Sequence, residues 1–319
     1  MKPALAESWA RAGCSVSPQE VAEVHERAGV RILLPEDPSY PELLASDVEP
    51  PAVIFALGDL SALEARRVAI VGTRRCTGVG AGVARELGRE LSTAGVAVVS
   101  GLALGIDGAA HRGALDAVPG GAAPVGVVGS GLDVVYPSRH RELWEAVARR
   151  GLLLSEAPLG ARPTGWRFPA RNRVIAALAE VVVVAESHAR GGSMHTVEEA
   201  QRREIPVMAV PGSVRSPASR GVNELIADGC HPVCDTADVL VALGLSSTRR
   251  ARSQADSRPA PTPPAAAVLD AMGWDPATLE HLVVRTSLRL PDLSLALEEL
   301  VSGGWLALDG GWYERVASS

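Results

Sequence analysis

Val68-Ala-Ile-Val-Gly-Thr-Arg74-Arg-Cys-Thr-Gly-Val-Gly80 is a short apolar strand, a glycine-containing turn and the start of a helix. That layout cradles phosphate at the edge of an open α/β sheet, because a helix start offers unpaired N–H groups and the positive end of its dipole. The spacing departs from both common nucleotide motifs. A dinucleotide fingerprint needs G-x-G-x-x-G, whereas Thr73 and Arg74 follow Gly72. A Walker loop ends in Gly-Lys-Ser/Thr, and this run has no lysine. An arginine stands where those motifs approach a pyrophosphate, so the run reads as a phosphate site built for neither NAD nor ATP.

Outward from this run, residues 61–244 alternate between strand-like and helix-like segments. The strand-like runs are Val68–Val71, Val96–Val99, Val125–Val128, Leu152–Leu154, Val181–Val184 and Val207–Val210. They are short, continuous and apolar, as parallel strands buried on both faces are. Helical patterns lie between and after them, at Gly82–Thr93, Ile106–Ala117, Ser138–Arg149, Asn172–Ala179, Met194–Arg203 and Val222–Ala227. Such alternation predicts an α/β fold with a doubly wound parallel sheet and a site at the C-terminal ends of its strands.

On the N-terminal side, residues 1–60 read as a short helical and irregular segment. Ser17 is placed to cap a helix with Pro18 in its first turn, and Val53–Leu57 reads as a strand. On the other side, residues 245–264 are rich in Ser, Thr, Arg, Pro and Ala without periodicity and read as a flexible linker. Residues 265–319 then suggest a separate winged helix-turn-helix. Its helices are expected at Ala265–Met272, Pro276–Arg285 and Leu293–Gly303, with a hairpin over Trp305–Tyr313 that turns on Asp309-Gly310 or Gly310-Gly311.

Composition bounds the rest. With 47% hydrophobic and 21% charged residues, the chain is an ordinary globular protein. It has no apolar run long enough to span a membrane and no secretory h-region, so a cytoplasmic location is expected. Four cysteines in 319 residues do not make a disulfide framework. Net charge is −6, which leaves room for a local basic groove but not for a generally basic surface. Lys2 is the only lysine, so an anion site must use arginine, whose planar fork grips phosphate with two parallel bonds.

Four strand ends carry polar or glycine-rich loops: Ser100–Asp107, Gly129–Asp133, Phe168–Arg173 and Glu186–Ser193. With Arg74, Arg171, Arg173 and Arg190 nearby, they point to a groove for a polyanion. The other chemistry-bearing residues read as structural. Asp107 and His111 stand four apart on one predicted helix, a spacing for a contact that orients the loop. Glu156 and Glu186 end strands without a paired carboxylate or nucleophile. Cys230 and Cys234 fall on one face of a strand with His231 on the other, which suits thiols in a core better than zinc. From residue 265 onward, eight acids (Asp270, Asp275, Glu280, Asp292, Glu298, Glu299, Asp309, Glu314) stand against three arginines (Arg285, Arg289, Arg315). The third helix carries Glu298-Glu299, so a protein contact suits this wing better than DNA.

The chain resembles the DNA-processing protein A (DprA/Smf) family, closely over 37–244 and more loosely over 265–316. The matching stretches include Asp37–Leu43, Val71–Arg74, Ser100–His111, Gly129–Pro137, Ser155–Pro158, Phe168–Arg173, Arg190–Ser193 and Ala209–Gly212. The resemblance implies an extended Rossmann-like domain that binds single-stranded DNA, forms a homodimer, protects incoming strands and loads the RecA recombinase in natural transformation. It implies a binding protein rather than an enzyme, with no cofactor and no metal. By motif, Arg74, Arg171, Arg173, Arg190 and Ser193 are expected to line the groove, with backbone amides of Gly72, Gly101 and Gly105 close to the strand. Their loop neighbours Thr73, Arg167, Phe168, Asn172 and Gly192 complete the candidate DNA-binding set, and Phe168 and Trp166 are the candidates for stacking on bases. The pattern departs from the family at Thr73, where serine is usual, and at Arg190-Gly191, where Lys-Ser is common. The alternative is a Rossmann-type nucleotide hydrolase or phosphoribosyl-handling enzyme that uses the same phosphate loops.

Overall fold

The first described helix, Pro18–Arg27, starts where Ser17 caps it: the Ser17 hydroxyl accepts from the Glu20 amide and Pro18 supplies the fixed φ of the first turn. The structure is a computed structural model and describes residues 17–245 and 258–316. The start of the expected N-terminal segment, residues 246–257 of the expected linker, and residues 317–319 lie outside the described residues. The chain divides into two units, one within residues 1–249 and the other within 250–319.

The first unit is built on a nine-stranded sheet. Its strands are β1 (Arg31–Leu33), β2 (Ile54–Gly58), β3 (Arg66–Gly72), β4 (Val96–Ser100), β5 (Val125–Val128), β6 (Leu152–Ser155), β7 (Val181–Glu186), β8 (Val207–Ala209) and β9 (His231–Pro232). They lie in the order β1-β2-β6-β5-β4-β3-β7-β8-β9. From β6 to β9 the strands run parallel, and β2 and β1 close that edge antiparallel. Residues 31–58, read from sequence as part of a separate segment, thus contribute two strands to this same sheet. The order reverses at β3, with β4 on one side and β7 on the other, and this opens a crevice beyond their C-terminal ends.

Both faces of the sheet are covered, as the Val-rich strands require. Ala69 and Val71 pack with Val174, Ile175, Leu178, Val197 and Val222 from three helices, Arg167–Leu178, Met194–Arg202 and Arg220–Ala227. Val68 and Ile70, pointing the other way, pack with Ala84, Leu87 and Leu91 of helix Gly78–Thr93 and with Ile106, Ala110 and Ala114 of helix Ile106–Leu115. Two helices begin earlier than the periodicity suggests. Gly78, Gly80 and Gly82 hide the first turns of one, which Thr77 caps by accepting from the Gly80 amide. The other starts at Arg167, because Pro169 is tolerated in a first turn where its missing N–H has no intrahelical partner. The stretch read as an arginine-bearing loop is therefore helical.

Helices Gly78–Thr93 and Ile106–Leu115 cross on glycine. A Cβ at Gly88 would collide with the Ala110 carbonyl, and one at Gly113 with the Arg85 carbonyl. Gly88→Ala or Gly113→Ala is expected to lower stability by about 1–3 kcal/mol in urea unfolding. Gly82, on the same helix, faces open space. There alanine is expected to add about 0.4–1 kcal/mol, since it loses less backbone entropy on folding.

The second unit holds helices Pro263–Met272, Leu279–Thr286 and Leu290–Ser302 and a three-stranded sheet of β10 (Ala277–Thr278), β11 (Leu306–Asp309) and β12 (Trp312–Arg315), in the order β10-β12-β11. This is a winged helix-turn-helix. Ala265, Val268, Leu282, Leu293, Leu297 and Leu300 form its core. Thr278 caps the second helix, so Ala277 and Thr278, expected within that helix, instead pair with β12. The hairpin turns on Gly310-Gly311, both at positive φ (56° and 85°), with Asp309 opposite Trp312.

Candidate nucleic-acid interface

At the crevice between β3 and β7 lies an open cleft of about 740 Å³. The turn after β3 supplies Gly72, Thr73, Arg74 and Arg75; the start of helix Arg167–Leu178 supplies Phe168, Arg171 and Asn172; the loop after β7 supplies His188, Gly192 and Ser193. Arg74 and Arg75 are exposed cations on its rim. The Arg74 guanidinium lies 5.2 Å from the centre of the Phe168 ring, which in turn packs at 5.3 Å against Tyr136. Phe168 is half-buried and presents an aromatic face beside the cation, a pairing that suits a base next to its phosphate. Arg75, His188 and His195 line the cleft although the sequence reading did not single them out. Arg75 was signalled only by standing next to Arg74.

The N-terminus of helix Gly78–Thr93, where a Rossmann fold ordinarily holds pyrophosphate, is already occupied. Glu186 at the end of β7 reaches across and accepts from the Thr77 amide at 3.0 Å and the Thr77 hydroxyl at 2.6 Å. Its carboxylate also sits where a Cβ on Gly80 would be. A fixed negative charge on the helix start excludes a nucleotide phosphate from that position. Glu186 thus caps a helix, and the nucleotide-handling alternative loses its usual anchor.

The glycines expected to bring amides to an anion also make room for close neighbours. Gly105, at φ 78°, sits where a Cβ would strike the Thr73 carbonyl and Arg74 backbone. A Cβ on Gly72 would fall 2.6 Å from the Ile106 side chain. The Gly101 amide is not free: it donates to Asp107 at 3.1 Å. Thr73 is similarly engaged, its amide donating to the Glu186 carbonyl at 2.7 Å and its hydroxyl accepting from the Arg75 amide at 3.2 Å.

Beneath the cleft lies a buried polar cluster. Arg171 is 7% exposed and donates to the Gly101 carbonyl at 2.9 Å and to the Val127 carbonyl. Burial lowers its pKa to about 10, Asp107 opposing and Arg74 adding to the fall. Arg171 therefore holds loop backbone through these bonds while it also lines the cleft. Burial pushes the Asp107 carboxyl up, with Arg171 and the Gly101 and Ala103 amides opposing. His140 Nδ1 lies 3.0 Å from the Leu102 carbonyl. His111 is fully buried, neither ring nitrogen has a well-formed hydrogen bond among the described residues, and burial lowers its pKa to about 4, with the Ser100 backbone opposing. The expected Asp107–His111 contact does not form.

Three of the expected arginines, Arg167, Arg173 and Arg190, are not part of the cleft lining. Arg173, two residues along the helix from Arg171, turns to the other flank, where it donates to the Glu49 carbonyl at 2.6 Å and pairs with Glu156. Arg167 and Arg173 line a second cavity of about 370 Å³. Burial pushes Glu156 up, and Arg173 opposes it. Arg190 is exposed beyond the lining of the cleft. Ser193 is buried and its hydroxyl lies 2.8 Å from that of Ser187, tying the ends of the loop together, while Gly192 is exposed at the loop's tip. No group of three or more His, Cys, Asp or Glu among the described residues could hold a metal ion.

In the second unit each described arginine engages its own surroundings. Arg258 stacks on Trp305 and Arg315 on Trp274. Arg285 donates to the Met272 carbonyl and Arg289 pairs with Asp292. The acids Glu298 and Glu299 sit on the third helix, the element that reads DNA in many winged helices.

Comparison with known proteins agrees with this architecture. Residues 31–244 match the family model for DNA recombination-mediator protein A, and residues 252–300 that for the DprA winged helix domain. The DNA processing protein DprA of Bacillus subtilis is 36% identical over 224 residues, covering 70% of this chain and 74% of its own. The crystal structure of DNA processing protein A from Streptococcus pneumoniae superposes with a TM-score of 0.64 at 37% identity, over 69% of this chain and 77% of that one. A Helicobacter pylori DNA processing protein A, whose structure addresses its single-stranded DNA binding mode, gives 0.60 at 30% identity, over 67% of this chain and 95% of that one. Among the described residues no helix is long and apolar enough to cross a membrane. With a strand order that opens a crevice at β3 and β7, a basic cleft in that crevice and a winged helix as its second unit, the chain belongs to the DNA recombination-mediator protein A family.

Proposed function

We propose that this protein binds single-stranded DNA in the β3–β7 cleft and acts as a recombination mediator, protecting incoming strands and loading the RecA recombinase in natural transformation. It works by binding, without catalysis, in the cytoplasm and as a homodimer through its Rossmann-like unit. Residues 61–244 carry the DNA site, with β1 and β2 completing their sheet and a linker leading to the winged helix. The observation that carries this reading is the exposed cation Arg74 at the Phe168 ring, with exposed Arg75 next to it in the lining of an open cleft. Guanidinium groups that follow a flexible backbone, next to an aromatic plate that takes any base, suit single strands better than a duplex. The Glu186 carboxylate on the neighbouring helix start argues against a nucleotide substrate.

The test is binding of a labelled ~30-nucleotide oligomer, single- and double-stranded, across a salt series; that length exceeds the roughly 4–16-nucleotide footprint of a single-strand module. Wild type is expected to prefer the single strand. Arg74→Ala is expected to weaken binding about tenfold and to flatten the log–log salt slope by about 0.7, the contribution of one lost phosphate contact. Binding indifferent to strand state and to Arg74 would overturn the proposal. RecA loading is then tested by filament assembly on strands coated with single-strand binding protein.

A further inference from the structure

The candidate DNA residues divide between two cavities on either flank of the start of helix Arg167–Leu178, and Arg171 lines both. The second cavity, at the ends of β5 and β6, has an unusual lining. Val127, Val128 and Val174 make an apolar wall, and Glu156 brings in a carboxylate. One oxygen of Glu156 is held by Arg173; the other has no hydrogen-bond partner among the described residues. Two donors are idle as well: Nε of Arg167 and Nε of the nine-tenths-buried Arg171 are both shielded from solvent and have no acceptor among the described residues. Trp166, also in this lining, is 67% exposed, with the Arg167 guanidinium 5.0 Å from its ring centre. Buried donors without acceptors are costly, and native proteins leave few of them.

We propose that this second cavity takes a guanine base. Guanine offers two adjacent donors, N1–H and the 2-amino group, which a carboxylate accepts together, and its O6 and N7 are acceptors for an arginine. Adenine, cytosine and thymine each lack that adjacent donor pair. The indole of Trp166 supplies a stacking plate, and a volume of about 370 Å³ is on the scale of small-molecule sites. Seen as part of the strand site, which rests on the function proposed above, the backbone follows the first cleft and one base turns past Arg171 into the second. A free guanine nucleotide presents the same edge.

The experiment compares an oligothymidylate of ~30 nucleotides with the same oligomer carrying interspersed guanines, and titrates dGMP alone while following Trp166 fluorescence, assigned with Trp166→Phe; the length again exceeds a single-strand footprint. Guanine is expected to tighten strand binding about tenfold, the scale of one bidentate base contact. Inosine, which lacks the 2-amino group, is expected to lose most of that gain on the unaltered protein. Glu156→Gln is expected to level the two affinities. Quenching of Trp166 by dGMP with equal oligomer affinities would support the cavity and assign it to a free nucleotide. If thymidylate does not bind, the strand function fails, and dGMP quenching alone decides the guanine site. Equal oligomer affinities without dGMP quenching, or no binding of any of these ligands, would overturn it.

Discussion

Arg171→Met is expected to destabilise the first unit by about 3–5 kcal/mol, read from the urea midpoint at constant slope. The loss has two parts. The Gly101 and Val127 carbonyls lose their donor in a buried place, and Asp107 loses the arginine that most opposes its upward shift. Methionine fills much of the volume but satisfies neither carbonyl. Asp107→Asn on its own removes the charge that Arg171 neutralises. The double variant Asp107→Asn/Arg171→Met is therefore expected to be less destabilised than the sum of the single changes, because each single change strands a charge that the double change removes. Since Gly105 packs on the Thr73–Arg74 backbone, the same variants are expected to loosen the Arg74 turn and weaken strand binding.

His111 makes stability sensitive to acid. Its pKa is about 4 in the folded protein against 6.5 for an ordinary histidine, because burial penalises the charged ring. Above about pH 6.5 the ring is neutral in both folded and unfolded chains, and this group contributes no pH dependence. As pH falls from there towards 4, the unfolded chain takes up a proton that the folded one refuses. Stability drops progressively, by about 3 kcal/mol in all. His140, also lowered by burial, acts in the same direction. His111→Leu removes the group, so the difference between wild-type and variant unfolding free energies is expected to slope over pH 4–6.5 and to be flat above it. A difference that stays constant down to pH 4 would show that the folded protein accommodates a charged ring at this position.

Much of the fold was legible in the strands. Continuous apolar runs such as Val181–Val184 have few alternatives to a strand covered on both faces, and the two glycines of the wing hairpin left few turn geometries. Helix starts were harder to place, since Gly78–Gly82 and Pro169 depress helical propensity while a cap or the free first turn compensates. The site was legible by residue type but not by direction. Arg171, Arg173 and Arg190 look alike in a sequence. The helix that begins at Arg167 buries Arg171 in the lining of both cavities and sends Arg173 to the other flank, and the loop after β7 leaves Arg190 outside the lining.

What the sequence determined by itself is the alternation of strand and helix, the reliance on arginine for any anion, and the placement of polar loops at strand ends. These follow from local periodicity and composition, which act within a few residues. The tertiary structure alone decided that Glu186 occupies the helix start, that Gly72, Gly101 and Gly105 make room for Ile106, Arg171 and the Thr73–Arg74 backbone, and that one arginine cluster divides between two cavities. Those outcomes depend on groups that meet from distant parts of the chain, as Thr77 and Glu186 do at a separation of 109 and Gly101 and Arg171 at 70. A buried charge or a missing Cβ has its meaning only from the partner that the fold brings beside it.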